Sequence, residues 1–291
     1  MSTLRELKGR IGSVASSEKI TGAMKMISSA KMHKAEQALA RLVPFRNQLQ
    51  TIMGNLLSAD AQFTSVLTEV RELKTVALVV LGSDEGLCGA YNINIFKGLL
   101  QRINALRKQS SEVKVKVYPI GKKMEKAAAK VAGDGVEVVM CGISPKAAID
   151  DIRKLVDALK DDFVAAKTDR VEIVGMKYVS AGKQVLAVNP LLPVAADAFG
   201  ADGRGSNRPY LFEPDANSIY NTILPLYVLS VAQETFGQNA ASEQAARVMA
   251  MQSANDNAVK LLDSLKLEYN KLRQQSITTE LLDILGGQVE K

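Results

Sequence analysis

TLRELKGRIGSVASSEKITGAMKMISSA, residues 3–30, is the stretch that decides the fold of this chain. Thr3 and Glu6 have the spacing of a capping box, in which each side chain accepts a hydrogen bond from the other residue's amide at the start of a helix. Apolar residues then recur at intervals of three and four, with one six-residue step, at Leu4, Leu7, Ile11, Val14, Ile20, Ala23, Ile27 and Ala30. This coiled-coil seam with one irregularity predicts a helix of about fifty residues, or roughly 80 Å.

The other end of the chain has a second long helical pattern. No proline occurs between Leu226 and Leu285, and a spacing of three and four is kept by Ala254, Ala258, Leu261, Leu265, Tyr269 and Leu272. The pattern predicts a helix of roughly 90 Å that Gly286-Gly287 ends. Pro225 leaves its start open, because a proline either kinks a helix or occupies its first turn.

Between the two helical patterns, apolar β-branched segments alternate with amphipathic ones. The predicted strands are at 75–82, 112–120, 136–141, 170–179 and 183–188, and the predicted helices are at 92–108, 122–131 and 146–163. This alternation is typical of a parallel, doubly wound sheet. Ser180-Ala181-Gly182 predicts a hairpin turn that adds an antiparallel edge strand.

These patterns together predict an α/β protein: an antiparallel coiled coil of long N- and C-terminal helices with an inserted doubly wound, mostly parallel α/β domain. The predicted segments are an N-terminal coiled-coil helix at 1–60, a Rossmann-like α/β domain at 70–200, a polar loop at 201–213 and a C-terminal coiled-coil helix at 214–291. Glycines at positions 9, 12 and 22 each cost about 1 kcal/mol in a helix interior. We expect them to permit close approach of a partner helix.

The positive charge of the chain is concentrated in its first segment. Residues 1–50 contain nine Lys or Arg and three Glu, which accounts for the whole net charge of +6. A basic helix indicates nucleic acid, an anionic membrane or an acidic protein as its partner, or simply a solvated face. Stacking aromatics are absent before Phe45, which disfavours nucleic acid. The apolar runs are far shorter than the ~20 residues that cross a bilayer.

Candidate chemistry is sparse in this sequence. Ser83–Asn92 follows a predicted strand and precedes a helix, as a phosphate-binding turn does, but it lacks a Gly-Lys-Ser/Thr ending and the GxGxxG spacing. The single histidine, His33, has no triad partner nearby in sequence, and Cys88 and Cys141 lack metal-site spacing. We therefore predict no catalytic residue, cofactor or metal. A nucleotide-dependent enzyme and an unrelated coiled-coil scaffold remain as alternatives.

Four stretches carry a family resemblance over nearly the full length. They are KITGAMKM with Ala30-Lys31 at 19–31, SDEGLCGAYN at 83–92, SEQAAR through NDNA at 242–258, and YNK to SITTELLD at 269–283. In this order they resemble the signatures of the γ subunit of F-type ATP synthases. Gly22 departs from that pattern, because the family often has lysine or another side chain there.

The resemblance implies a central rotor stalk without intrinsic activity or cofactor. Such a helix pair inserts into a ring of three α and three β subunits, and its α/β domain lies beside the ε subunit and the c-ring. One copy per complex transmits rotation of the c-ring to the catalytic β subunits, on the cytoplasmic face of the bacterial inner membrane or the matrix side in mitochondria. The implied β-subunit contacts are Lys19, Met24, Lys25, Lys31, Arg273 and Gln274, and the implied ε and c-ring contacts are Tyr210, Phe212 and Glu213.

Overall fold

The computed structural model describes residues 3–57, 63–110, 112–195, 199 and 212–287. The chain divides into two compact units, one made of Met1–Ser29 with Arg247–Lys291 and the other of Ala30–Ala246. Both long helices, α1 (Leu4–Leu57) and α5 (Ala216–Gly287), contribute to both units. The predicted loop at 201–213 lies outside the described residues except for its last two positions.

The start of α1 confirms the predicted capping box. The amide of Thr3 donates to Oε2 of Glu6 at 2.9 Å, and the amide of Glu6 donates to Oγ1 of Thr3 at 3.2 Å. Two of the amides that a helix start leaves without intrahelical partners are thereby satisfied. The helix then continues without interruption through Pro44.

The seam of α1 differs from the prediction in its second half. Ile20, Ala23, Ile27 and Ala30 are exposed. An unbroken three- and four-residue spacing is instead kept by buried and half-buried residues at Leu4, Leu7, Ile11, Val14, Glu18, Thr21, Lys25 and Ser28. The predicted six-residue step is therefore wrong. Hydrophobic periodicity missed the true seam because its last four members are polar.

Polar contacts in the first unit explain why hydrophilic residues occupy this seam. The amide Nδ2 of Asn255 donates to the backbone oxygen of Glu18 at 2.8 Å and lies 3.3 Å from Oγ1 of Thr21. A Cβ atom added to Gly22 would lie 3.4 Å from the same Nδ2 atom. The expected close approach is confirmed at Gly22 alone, since a Cβ at Gly9 or Gly12 would have no described neighbour within 4 Å.

Helix α5 begins at Ala216, close to the start of the predicted C-terminal helix segment at 214–291. Pro225 lies inside the helix, which excludes a first-turn proline. Five of the six residues predicted for its seam are buried or half-buried, and Leu261 is exposed. Among the described residues, no helix has an apolar stretch long enough to cross a bilayer.

The second unit contains a five-stranded sheet in the order β3-β2-β1-β4-β5. The strands are β1 (Thr75–Leu81), β2 (Lys114–Ile120), β3 (Val136–Val138), β4 (Arg170–Ser180) and β5 (Lys183–Leu192). Strands β1 to β4 pair in parallel, and β5 pairs antiparallel with β4 through the predicted hairpin. The doubly wound, mostly parallel arrangement is confirmed. Strand β3 is shorter than predicted and β5 is longer.

Helices cover both faces of the sheet. The intervening helices are α2 (Tyr91–Gln109), α3 (Lys122–Ala128) and α4 (Ile149–Val164). One core cluster packs α4, the end of α1 and the start of α5 against alternate residues of β1, such as Val79. The other packs α2 and α3 against the β1 side chains that point to the opposite face, such as Leu78. Burial on both faces explains why β1 is almost wholly apolar.

Within the second unit, α1 and α5 run antiparallel and contact each other directly. Gly237 faces Leu39, and a Cβ atom there would lie 2.8 Å from Cδ2 of the leucine. Further along, Nε of Arg46 lies 2.6 Å from Oε2 of Glu234. Gly237, which resembles a helix breaker in the sequence, thus allows the two helices to pack closely.

Candidate functional site

The predicted β-subunit contacts lie on the long helices. Lys19 and Lys31 are exposed, whereas Met24 and Lys25 are half-buried; Lys25 occupies a seam position. These three lysines form no ion pair of 4.0 Å or less with a described residue in the chain. Their charges therefore remain available to an external partner.

Apolar side chains share the exposed face of α1 with Lys19. Ile20 is 59% exposed, Met26 is 69% exposed and Ile27 is 55% exposed. Residues separated by three, four or seven positions lie on one side of a helix, so Lys19 and Met26 are neighbours, as are Ile20 and Ile27. We call these four residues the basic–apolar face. A positive charge beside several exposed large hydrophobic side chains is typical of a protein-binding surface.

The remaining predicted contacts have different environments. Arg273 and Gln274 are exposed on α5 in the first unit. Phe212 is half-buried and packs against the core cluster of the second unit, and Glu213 is exposed. Tyr210 lies outside the described residues. Packing against the core gives the Phe212 side chain a structural role in the second unit.

The Ser83–Asn92 turn is held by its own side chains. Oδ1 of Asn92 accepts a hydrogen bond from the amide of Ser83 at 3.1 Å, and Nδ2 of Asn92 donates to Oγ of Ser83 at 2.7 Å. That hydroxyl in turn donates to the backbone oxygen of Glu85 at 2.7 Å. Leu87 and Gly89 adopt positive φ values of 63° and 59°. The turn therefore attaches the start of α2 to the end of β1.

Asp84 gives the same turn a second structural role. Its Oδ2 atom accepts a hydrogen bond from Ser144 Oγ at 2.7 Å, and its Oδ1 atom accepts one from the amide of Lys122 at 3.2 Å. Lys122 is the first residue of α3, so Asp84 connects the turn to the start of this second helix. Because the side chains of Ser83, Asp84 and Asn92 are held by hydrogen bonds within the chain, the geometry favours the structural interpretation over a nucleotide site.

His33 belongs to a small polar cluster in the second unit. Its Nδ1 atom lies 2.9 Å from Oε2 of Glu36, and its side chain is 68% exposed. The other carboxylate oxygen of Glu36 accepts a hydrogen bond from the hydroxyl of Tyr178 on β4. Burial raises the pKa of Tyr178 to about 12, with the hydrogen bond to Glu36 and the charge of Glu36 acting in the same direction. Glu36 thus connects α1 to the β4–β5 hairpin.

Substituting Tyr178 is expected to change the stability of the chain at high pH. The folded state holds the Tyr178 proton up to about pH 12, whereas the unfolded state releases it near the ordinary value of 10.0. The contribution of Tyr178 to stability is therefore complete below pH 10.0 and is lost as the pH rises towards about 12. Urea unfolding is measured at neutral pH and at high pH. The fall in the free energy of unfolding between the two pH values should be smaller for Tyr178→Phe than for the unaltered chain. Equal losses would contradict this assignment, because all other tyrosines are common to both proteins.

Side chains that could bind a metal ion do not cluster among the described residues. In the described parts of the chain, no three His, Cys, Asp or Glu side chains come together as a metal site. Cys88 is buried and Cys141 is half-buried, and both are free thiols. Burial raises the pKa of Cys141, which makes this thiol less reactive.

Relatives of known name match the chain from end to end. The ATP synthase family matches residues 3–289. The ATP synthase gamma chain of Parabacteroides distasonis is 38% identical over 287 residues, which cover 99% of this chain and 98% of that protein. The ATP synthase gamma chain of Bacteroides thetaiotaomicron is 36% identical over 300 residues and covers all of both proteins.

Solved structures share the fold. A chain of the Euglena gracilis mitochondrial ATP synthase, in a structure of OSCP, F1 and the c-ring, has a TM-score of 0.62 and 22% identity over 98% of this chain and 93% of its own. A chain of the rotor of the same enzyme has a TM-score of 0.60 and 21% identity over 94% and 98%. The family match and the named relatives, which cover nearly the whole length, show that the chain belongs to the ATP synthase gamma chain family.

Proposed function

We propose that this chain is the central-stalk rotor subunit of the F1 sector of a proton-translocating ATP synthase. It transmits rotation of the c-ring to the catalytic β subunits and carries no catalytic group of its own. Its partners are the α and β subunits, the ε subunit and the c-ring, and it associates with the membrane peripherally through the complex. The bacterial relatives support the cytoplasmic face of the inner membrane as its location.

The basic–apolar face is the observation that carries this proposal. An isolated helix pair gains nothing by exposing Ile20, Met26 and Ile27, since burying a large apolar side chain is worth about 1.5–3 kcal/mol. Lys19 beside them favours an acidic partner. We infer that the β subunits contact this face, with Met24, Lys25 and Lys31 along the same helix, and that Arg273 and Gln274 contact them from α5. A rotor acts only by contacting different β conformations unequally, because equal affinity shifts no equilibrium.

Co-purification tests the proposed function directly. A tagged copy of the chain, expressed in cells with its own synthase genes, is expected to bring down α and β subunits in a three-to-one ratio of each to the tagged chain. Recovery of the tagged chain with neither subunit would favour the coiled-coil scaffold. Saturable binding of ATP by the isolated chain would instead favour the nucleotide-dependent enzyme.

Charge reversal tests the role of the lysines. Lys19→Glu, Lys25→Glu and Lys31→Glu together are expected to lower ATP-driven proton pumping by the assembled enzyme about fivefold or more, a typical coupling effect, because an acidic partner would repel the new charges. A matched control reverses the exposed lysines Lys108, Lys126 and Lys130 of the α/β domain. Both triple variants change the net charge equally, so similar pumping by the two would refute the role of the α1 lysines.

A further inference from the structure

A crevice in the sheet of the second unit is occupied by the chain's own helix. From β1 the chain proceeds outward through β2 to β3 and then returns to β4 on the other side of β1. The carboxyl ends of β1 and β4 therefore flank the point where the winding reverses, which is where doubly wound folds commonly bind ligands. In this protein Asn239 of α5 lies there, and it is 2% exposed.

Asn239 contacts groups from three elements around the crevice. Its Oδ1 atom accepts hydrogen bonds from the Tyr91 hydroxyl at 2.7 Å and from the Met176 amide at 3.3 Å. The Tyr91 hydroxyl also lies 3.0 Å from the backbone oxygen of Asn239. The Nδ2 atom lies 3.5 Å from the backbone oxygen of Gly82, the residue that follows β1. One side chain thus connects α5 to β1, β4 and the start of α2.

The surroundings of Asn239 make this connection specific. A Cβ atom on Gly175 of β4 would lie 3.2 Å from Oδ1 of Asn239, so a larger residue would press on the contact. One turn further along α5, the hydroxyl of Ser242 donates to the backbone oxygen of Met176 at 3.2 Å. Apolar packing is non-directional and allows a helix to turn or slide, whereas hydrogen bonds to fixed backbone groups allow one orientation only.

We propose that Asn239 is a positioning residue that fixes the rotational setting of α5 against the α/β domain, so that torque passes between them without slippage. This proposal rests on the rotor function proposed above. A helix held only by apolar contacts would respond to torque by repacking in the crevice. With Asn239 in place, rotation of the α/β domain must carry α5 with it.

The test compares coupling in Asn239 variants with coupling in a control variant that is also less stable than the unaltered chain. The double variant Asn239→Leu with Tyr91→Phe removes both side-chain partners and so leaves no phenol hydroxyl unpaired. It is assembled with the α, β, ε and c subunits in membrane vesicles, and protons pumped per ATP hydrolysed are measured. We expect this ratio to fall about fivefold or more, within the usual range of coupling effects. Tyr91→Phe alone, a milder change that serves if the double variant does not fold, should lower the ratio by less.

A substitution in the sheet supplies the matched control. Val117→Ala removes buried methyl groups from β2, a strand that pairs with β1 and β3, and it should keep the ratio of the unaltered enzyme despite a lower free energy of unfolding. If the Asn239 variants pump as many protons per ATP as this control, the positioning role is overturned. If the unaltered chain itself fails to restore pumping to vesicles that lack it, the rotor function fails and the role of Asn239 falls with it.

Discussion

Truncating the chain after Arg247 is expected to leave the α/β domain folded while coupled ATP synthesis falls about tenfold or more. A tenfold fall corresponds to a loss of about 1.4 kcal/mol in the difference between the chain's contacts with different β conformations. The removed part of α5 pairs with the first residues of α1 in the first unit. Both core clusters of the second unit lie within Ala30–Ala246 and stay intact. Synthesis is measured in membrane vesicles and folding by thermal unfolding of the isolated chain.

A shorter truncation controls for the loss of a free chain end. Removing only residues 288–291 leaves every described residue in place, so we expect synthesis close to that of the unaltered enzyme. Unchanged synthesis after truncation at Arg247 would count decisively against a rotor role for the helix pair. Loss of the cooperative unfolding transition would instead show that the second unit depends on the first.

Removing the guanidinium of Arg102 is expected to have the largest effect on stability. Its Nε and Nη2 atoms donate to the two carboxylate oxygens of Glu172 at 2.6 and 2.5 Å, and the Glu172 side chain is only 4% exposed. The hydrogen bond to Glu172 raises the pKa of Arg102. Arg102→Met leaves a buried carboxylate without its main partner, which typically costs about 3–5 kcal/mol.

A double substitution distinguishes the loss of the ion pair from the cost of leaving a buried charge without a partner. Arg102→Met with Glu172→Leu removes both charges and should recover most of the lost stability, because an apolar pair of similar volume often replaces a buried ion pair at little cost. The free energy of unfolding in urea is measured for the single and double variants of the isolated chain. A loss below about 1 kcal/mol for Arg102→Met would indicate a pair of the surface type and contradict this interpretation.

Local patterns in the sequence were enough to predict most of the fold. The capping box at Thr3, the strand at 75–82 and the hairpin at 180–182 each depend on neighbouring residues, and the structure confirms all three. The end of β5 was missed because Asn189 and Pro190 interrupt its apolar pattern. Pro225 left the start of α5 open in the sequence, and in the structure the helix begins at Ala216 and continues through this proline.

Contacts between distant parts of the chain were harder to predict. Periodicity alone assigned Ile20 and Ile27 to the seam. Nothing in the sequence shows that Asn255 hydrogen-bonds to α1 and so allows polar residues to occupy the seam. The role of Asn239 was also missed, since its partner Tyr91 is 148 positions away. The available signal was the polar residues Asn239, Ser242, Glu243 and Gln244, which lie close together with Ala240 and Ala241 between them. Burial of such residues requires partners that only the fold can bring together.

The polar seam of the first unit has a mechanical consequence. Water can replace the amide and hydroxyl contacts of Asn255, Glu18 and Thr21 at a small net cost, because hydrogen bonds exchange nearly evenly between protein and solvent. A dry leucine seam has no such substitute and would resist every small separation of its two helices. This part of the helix pair can therefore separate slightly and close again at little cost in free energy.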